Sequence, residues 1–238
     1  VKVFLISNTE NPEKTCAAAA LTSYWYKGAS ETYEKLTKKE IEDILKKVIG
    51  HGHISVIEHA SFTFSIEGVS RACTHQLVRH RMASYTQQSQ RYVELKNSFV
   101  VPKNLEKNEK YLEALESIKK VYEELLKTTT KEDARFILPN SAKTNIIVTM
   151  NSRELLHFFK LRCCNRAQWE IQEMAWKMLK ICKEKAPVIF ENAGPSCFFT
   201  ECPERDLACD LWKGLEGKKN KKEIMKKYFE KRFGGVKN

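Results

Sequence analysis

Two short runs hold the densest chemistry in the chain, Gln76-Leu77-Val78-Arg79-His80-Arg81 and Gln87-Gln88-Ser89-Gln90-Arg91. On a helix, three consecutive side chains fan out at steps of about 100° and cannot share a face. At a helix end they can converge, and Arg79, His80 and Arg81 would then suit a phosphate or an electron-rich ring. The alternative is a solvated basic turn. Ser89 and Arg91 project to the same side if the segment is extended, a pairing that suits a phosphate. No neighbour of Ser89 is an obvious dedicated base, so it is a weak candidate nucleophile.

Arg135, Arg153 and Arg162 sit in otherwise apolar segments, and arginine is seldom buried without an anionic partner. Arg153 and His157 are four apart and share one helix face. A structural ion pair accounts for any one of these arginines, and less well for all three. His51, His53, Glu58 and His59 offer four zinc ligands, or plain turn and core residues; the helical HExxH spacing is absent. Of the eight cysteines, Cys197, Cys202 and Cys209 are separated by four and six residues, with Cys163-Cys164 or Cys182 available as a fourth. Such thiolates suit zinc or an iron–sulfur cluster, but no CxxC pair occurs, ordinary reduced thiols explain them as well, and no metal site is assigned.

The elements that would position these residues follow from pattern. Lys2–Ser7 reads as a strand and Pro12–Tyr26 as a helix with Asn11 as N-cap. Thr37 and Glu40 form a capping-box signature before Ile41, Ile44, Leu45 and Val48, and Gly50 and Gly52 close that helix. Phe62, Phe64 and Ile66 alternate with polar residues in a half-buried strand, Ser61–Gly68. A helix is expected from Ser70 to about Arg79, then an irregular or partly extended segment, Met82–Lys96. Leu112, Leu115, Ile118, Tyr122 and Leu125 form a packing stripe on a helix over Asn108–Thr128. Ala134–Leu138 is a turn stopped by Pro139, and Asn145–Met150 is a strand. Ser152 is expected to cap a helix to about Leu161, and a last helix with Ala167, Ile171, Met174, Ala175, Met178 and Cys182 on one face ends by Pro187. Few strands among several helices give an α+β fold, a mixed small sheet with several long helices in a single compact domain.

The 238 residues are 42% hydrophobic and 30% charged, ordinary for a globular chain. No apolar run reaches the roughly 20 residues of a membrane helix, and Val1–Ser7 has no signal-peptide features. A cytoplasmic location with reduced thiols is expected. The net charge of +11 fits nucleic acid or small multiply phosphorylated anions, although much of the excess lies in the lysine-rich stretch Lys213–Lys237. Two rivals to a nucleotide enzyme are a nucleic-acid-binding module, with Tyr85 and Tyr92 stacking bases, and a metal-dependent nucleotide hydrolase built on the histidines. The arginines within apolar segments suit a pocket better than an open groove, so nucleic acid is not the expected partner.

Arg79-His80-Arg81, then seven residues, then Ser89 resembles the signature of the flavin-dependent thymidylate synthases. The resemblance extends from about His51 to Pro187 through His51-Gly52-His53, Glu58-His59, Ala134-Arg135, Leu138-Pro139, Asn151-Ser152-Arg153, Leu161-Arg162 and Ala167-Gln168-Trp169-Glu170-Ile171. It implies a catalytic domain over residues 1–190 and a Cys-containing, Lys-rich extension over 191–238. It further implies FAD contacts at Ser55, Arg79, His80, Arg81, Gln87, Asn151, Ser152, Arg153 and His157. Nucleotide contacts are implied at Gln76, Leu77, Val78, Arg79, Gln87, Gln88, Ser89, Gln90, Arg91, Arg135 and Arg162, and Arg162 matches the arginine that activates dUMP. Gln87 stands where many members carry Glu, and His157 where some carry Asn. The implied reaction converts dUMP to dTMP with methylenetetrahydrofolate as carbon donor and NADPH as reductant of FAD, without a cysteine nucleophile. The implied assembly is a homotetramer with active sites shared between subunits.

Overall fold

The structure is a computed structural model that describes residues 1–95 and 99–234; the last residue of the Met82–Lys96 segment and the end of the Lys213–Lys237 stretch fall outside the described residues. In chain order the elements are β1 (Lys2–Asn8), α1 (Pro12–Thr22), α2 (Ala29–Lys35), α3 (Lys38–Gly50), β2 (Ser61–Ser70), α4 (Arg71–Leu77), β3 (Ala83–Gln87), α5 (Glu109–Thr128), α6 (Lys131–Ala134), β4 (Lys143–Asn151), α7 (Ser152–Arg162), α8 (Trp169–Lys185), α9 (Asp210–Lys213) and α10 (Lys221–Phe233). This is the α+β fold expected, with a four-stranded sheet in the order β1-β2-β4-β3 and antiparallel pairing throughout.

Strand alternation sorts the sheet into two faces. Leu5, Phe64, Val148 and Tyr85 lie in one register row on the inner face, with Val3, Ile66, Ile146 and Gln87 in the next. The outer face carries Phe4, Ser65, Ile147 and Thr86 in one row, and Phe4 and Ile147 are exposed. On the inner side α7 and α8 supply Phe158, Phe159, Met174 and Met178, all fully buried. Phe190 seals this core edge-on to Phe62 and Phe159, with ring centroids 5.7 and 6.0 Å away. A second apolar cluster gathers Cys197, Phe198, Trp212, Met225 and Phe229. It docks on α8 through Trp176, which stacks on Phe229 at 5.1 Å and Phe233 at 5.0 Å.

Local chemistry sets the boundaries, not always as the sequence predicts. Thr37 and Glu40 do form the capping box. Asn11 instead sits in the left-handed region with φ 46° and makes no side-chain cap, because Pro12 already fills the helix start. The helix it precedes ends at Thr22, short of Tyr26. The cap of α7 is Asn151, whose side chain accepts the Glu154 N–H, and not Ser152. The Ser152 hydroxyl is committed to the Ala60 carbonyl at 3.1 Å. The Met82–Lys96 segment contains a regular strand, β3, at the edge of the sheet. On α5, Leu115 and Tyr122 are buried as expected, whereas Leu112 is exposed.

Candidate active site

The helix that leads to the Arg79-His80-Arg81 run begins with a buried clamp. Ser70 caps α4 by accepting the Cys73 N–H at 3.0 Å. Its own N–H and hydroxyl donate to the two carboxylate oxygens of Glu170 at 2.7 and 2.5 Å. Helix α4 is therefore fixed at its start by α8, and its far end delivers Gln76 through Arg81. There the chain leaves helical geometry, and the three adjacent side chains part: His80 turns inward and is buried, while Arg79 and Arg81 stay exposed. The Tyr85 hydroxyl holds this turn from below, 2.9 Å from the Leu77 carbonyl and 2.7 Å from that of His80.

His80 links two residues about two turns apart on α7. Its Nδ1 lies 3.1 Å from the Glu154 carboxylate. Its Nε2 lies 3.1 Å from Arg162 Nε, which can only donate. Nε2 must then be the acceptor and Nδ1 the protonated nitrogen, so the ring is neutral in this arrangement. Burial pushes the His80 pKa below its ordinary 6.5; Glu154 pulls it up, and Arg162 pushes it further down. Phe158 packs edge-on to the ring at 4.9 Å, and His157 at 5.8 Å. Among the described residues only Nε of Arg162 is hydrogen-bonded to the protein, which leaves both Nη groups as donors to a ligand. Burial lowers the Arg162 pKa, yet the guanidinium remains a cation.

Next to this triad is a cavity of about 840 Å³. The first turn of α7 supplies Asn151, Arg153 and Glu154, and His157 follows. Ile49, Ile54, Leu156, Val188 and Ile189 give apolar walls, and Lys46, Lys160 and Met82 complete the rim. Arg153 is paired with Glu58 at 2.5 Å. The wall at Val188 and Ile189 is tied to α1, because Glu13 accepts both N–H groups, at 2.6 and 3.1 Å. Gly194 borders the cavity at φ +157°, where a Cβ would stand 2.5 Å from the Phe198 ring. Only glycine fits there without displacing that ring.

The residues singled out from sequence fall into two groups. Arg153, His157 and Asn151 meet at the cavity, and Arg162 is linked through His80 to Glu154, which also lines it. Ser55 is exposed on the turn before β2; Ser152 and Leu77 are buried, Gln76 is half-buried and Val78 is exposed. The second group runs from the far end of β3 to α6. The Gln87 amide donates to Thr74 Oγ1 at 3.1 Å and Thr144 Oγ1 at 3.3 Å, so its neutrality is matched by hydroxyl partners. Gln88, Ser89 and Gln90 follow half-buried; Ser89 Oγ accepts the Arg91 N–H at 3.2 Å, and Gln90 Nε2 is buried without a partner among the described residues. Arg91 reaches Glu132 at 3.0 Å, and Arg135 Nε donates to the Glu132 carbonyl at 3.0 Å. Met82, at the cavity rim just before β3, and Gln87, its last residue, are about 16 Å apart along the strand.

Sequence reasoning missed Glu154 and Tyr85, whose partners lie in other elements, and treated Glu170 only as part of a motif. It left Glu58 and His51 open between zinc ligands and plain turn or core residues, with no metal site assigned. Glu58 instead pairs with Arg153, and the His51 ring meets the Lys47 carbonyl at 2.7 Å.

Residues 4–188 match the family model described as thymidylate synthase complementing protein. The chain belongs to the flavin-dependent thymidylate synthase family. It is 49% identical to the flavin-dependent thymidylate synthase of Pyrococcus furiosus over 222 residues, covering 87% of this chain and 91% of that one. The proteins of the same name from Geobacter sulfurreducens (48% over 217 residues, 88% and 94% covered) and Clostridium tetani (43% over 231 residues, 88% and 93% covered) are similar along nearly their whole length. Within the signature, His80 belongs to the His80–Glu154–Arg162 triad, and the seven residues between Arg81 and Ser89 contain β3.

The triad sets a pH dependence. A neutral His80 is required to accept from Arg162, and its folded pKa lies below the ordinary value. Its contribution to stability is complete above pH about 6.5 and is lost as pH falls below that value toward the lowered folded pKa. Glu154→Gln removes the group that pulls this pKa up. The acid limb of activity is expected to move to lower pH in that variant, read from the pH profile of turnover; a limb that moves to higher pH would contradict the tautomer assigned here.

Proposed function

We propose that the chain converts dUMP to dTMP as a flavin-dependent thymidylate synthase, with methylenetetrahydrofolate as carbon donor and NADPH-reduced FAD as source of hydride. The observation that carries this reading is Arg162. It is a partly buried cation held through His80 to Glu154, and Glu154 lines the cavity; among the described residues neither Nη group has a hydrogen-bond partner.

The residues present fit FAD. The cavity is within the size range of cofactor sites. Its apolar walls suit flat rings, and the N-terminal turn of α7 with Arg153 suits a pyrophosphate. When bound, FAD supplies hydride; the protein's part is to bind, orient and stabilise charge. C5 of uracil is a poor nucleophile, and passing the N3 proton to solvent drives electron density onto it. The Arg162 guanidinium stabilises the negative charge that develops on the ring. His80 and Glu154 keep that guanidinium in place, and neither exchanges a proton with substrate in this scheme.

No cysteine is needed as nucleophile. Cys73 is fully buried, and burial drives its thiol pKa far above the ordinary value, which disfavours the thiolate.

We read residues 1–190 as the catalytic domain and 191–238 as an extension seated on Trp176, and place the enzyme in the cytoplasm. Among the described residues no helix is long and apolar enough to cross a membrane. The active assembly is a homotetramer in which the second group, Gln87–Arg91 with Arg135, faces the cavity group of a neighbouring subunit. The distance between the two groups within one chain and the exposed Phe4 and Ile147 on the outer sheet face support this arrangement.

The decisive experiment is anaerobic dTMP formation from dUMP with methylenetetrahydrofolate and NADPH, with and without added FAD. FAD-dependent product is expected, and Cys73→Ala is expected to retain turnover. Folded protein that binds FAD and makes no dTMP would reject the reading.

A further inference from the structure

The C-terminal cysteines do not share the surroundings of the others. Cys16, Cys73, Cys163 and Cys182 are buried in the main core. Cys164, Cys197, Cys202 and Cys209 instead line one pocket of about 270 Å³ between the end of α7 and the second apolar cluster. Cys164 lies in the α7–α8 connection, Cys197 in the 3-10 turn Ser196–Phe198, and Cys202 and Cys209 in the loops on either side of the turn Arg205–Leu207. Three stretches of chain therefore bring thiols to one place. Three of these four thiols are only half-buried, and the Arg166 N–H already donates to Cys164 Sγ at 3.4 Å. Backbone N–H groups directed at sulfur are a usual accompaniment of thiolate ligation.

We propose that Cys164, Cys197, Cys202 and Cys209 are the ligands of a tetrathiolate metal centre that fastens the C-terminal segment to the end of α7. Soft thiolates in this number select zinc or an iron–sulfur cluster. As the chain stands, no group of three or more His, Cys, Asp or Glu among the described residues could hold a metal ion. The four thiols thus ring the pocket without meeting at a point. A zinc ion would have to draw all four to about 2.3 Å. A polynuclear cluster spreads its thiolate ligands over several metal atoms and does not require all four to meet at one ion. Binding displaces the thiol protons and makes the metal part of the folding free energy of the segment. The proposal is independent of the reaction assigned above, although Arg162 lines the same pocket two residues before Cys164.

The test is metal and acid-labile sulfide analysis of the full chain purified without oxygen. Iron with sulfide identifies a cluster and zinc without sulfide a single ion; either supports the centre if it is stoichiometric and falls to trace in both Cys202→Ser and Cys209→Ser while Cys182→Ala retains it. Metal-free protein, or metal that persists in both serine variants, overturns the proposal. If the serine variants do not fold, alkylation of the unsubstituted chain before and after metal stripping gives the answer. Joint exposure of the four thiols on stripping is the expected result, and unchanged labelling overturns the proposal.

Discussion

Arg162→Ala is expected to lower turnover by about two to three orders of magnitude, the usual cost of removing a donor aimed at developing charge. The substitution acts twice. It removes the cation proposed to face the substrate, and it leaves His80 Nε2 buried without the donor 3.1 Å away. Arg162→Lys is not a conservative repair, because an ammonium on a flexible stem cannot reproduce an Nε–H to His80 together with two outward Nη groups. It is expected to recover only part of the loss. Steady-state assays of dTMP formation measure both variants, with flavin absorbance and the unfolding midpoint as controls for cofactor and fold. An Arg162→Ala enzyme with near-normal kcat would place ring activation on another group.

Phe190→Ala is expected to destabilise the protein by about 3–5 kcal/mol, as large-to-small changes at packed aromatic sites do. Phe190 is fully buried and bridges β2 to α7 through edge contacts with Phe62 and Phe159. It also lies between Ile189 and the Glu191–Gly194 segment, all of which borders the cavity. The cost should therefore appear both in a lower urea midpoint and in weaker flavin retention. A stability loss under about 1 kcal/mol would mean that neighbouring side chains collapse into the space.

The sequence exposed the fold where local chemistry and burial agree. The alternation of Phe62, Phe64 and Ile66 and the Thr37–Glu40 box each name their own structure, and both are present. Strand β3 was hidden because it is an edge strand whose outward positions, Ser84 and Thr86, are polar and whose inward positions include Gln87. Nothing in that pattern separates it from a loop until β4 pairs with it. The cap of α7 was misread for a related reason. Asn151 and Ser152 are both good caps, and the choice depends on the Ala60 carbonyl, 92 residues away, which takes the serine hydroxyl. At the site, the signature marked His80 and Arg162 by resemblance, but their link and the role of Glu154 depend on contacts spanning 82 and 74 residues. No local rule reaches so far.

The bond from Ser70 to Glu170 closes a loop of 100 residues. Such a contact is entropically expensive to make early and cannot persist while either end is loose. The helix that presents the signature is therefore assembled late, when α8 docks, and does not open on its own afterwards. Hydrogen exchange at the Ser70 amide should then proceed only with global unfolding, whereas exposed loops exchange through small local openings. A Ser70 amide that exchanges as fast as those loops would show the clamp to be looser than its geometry. If it exchanges as expected, a half-folded chain cannot offer a working site, and activity reports on the whole molecule.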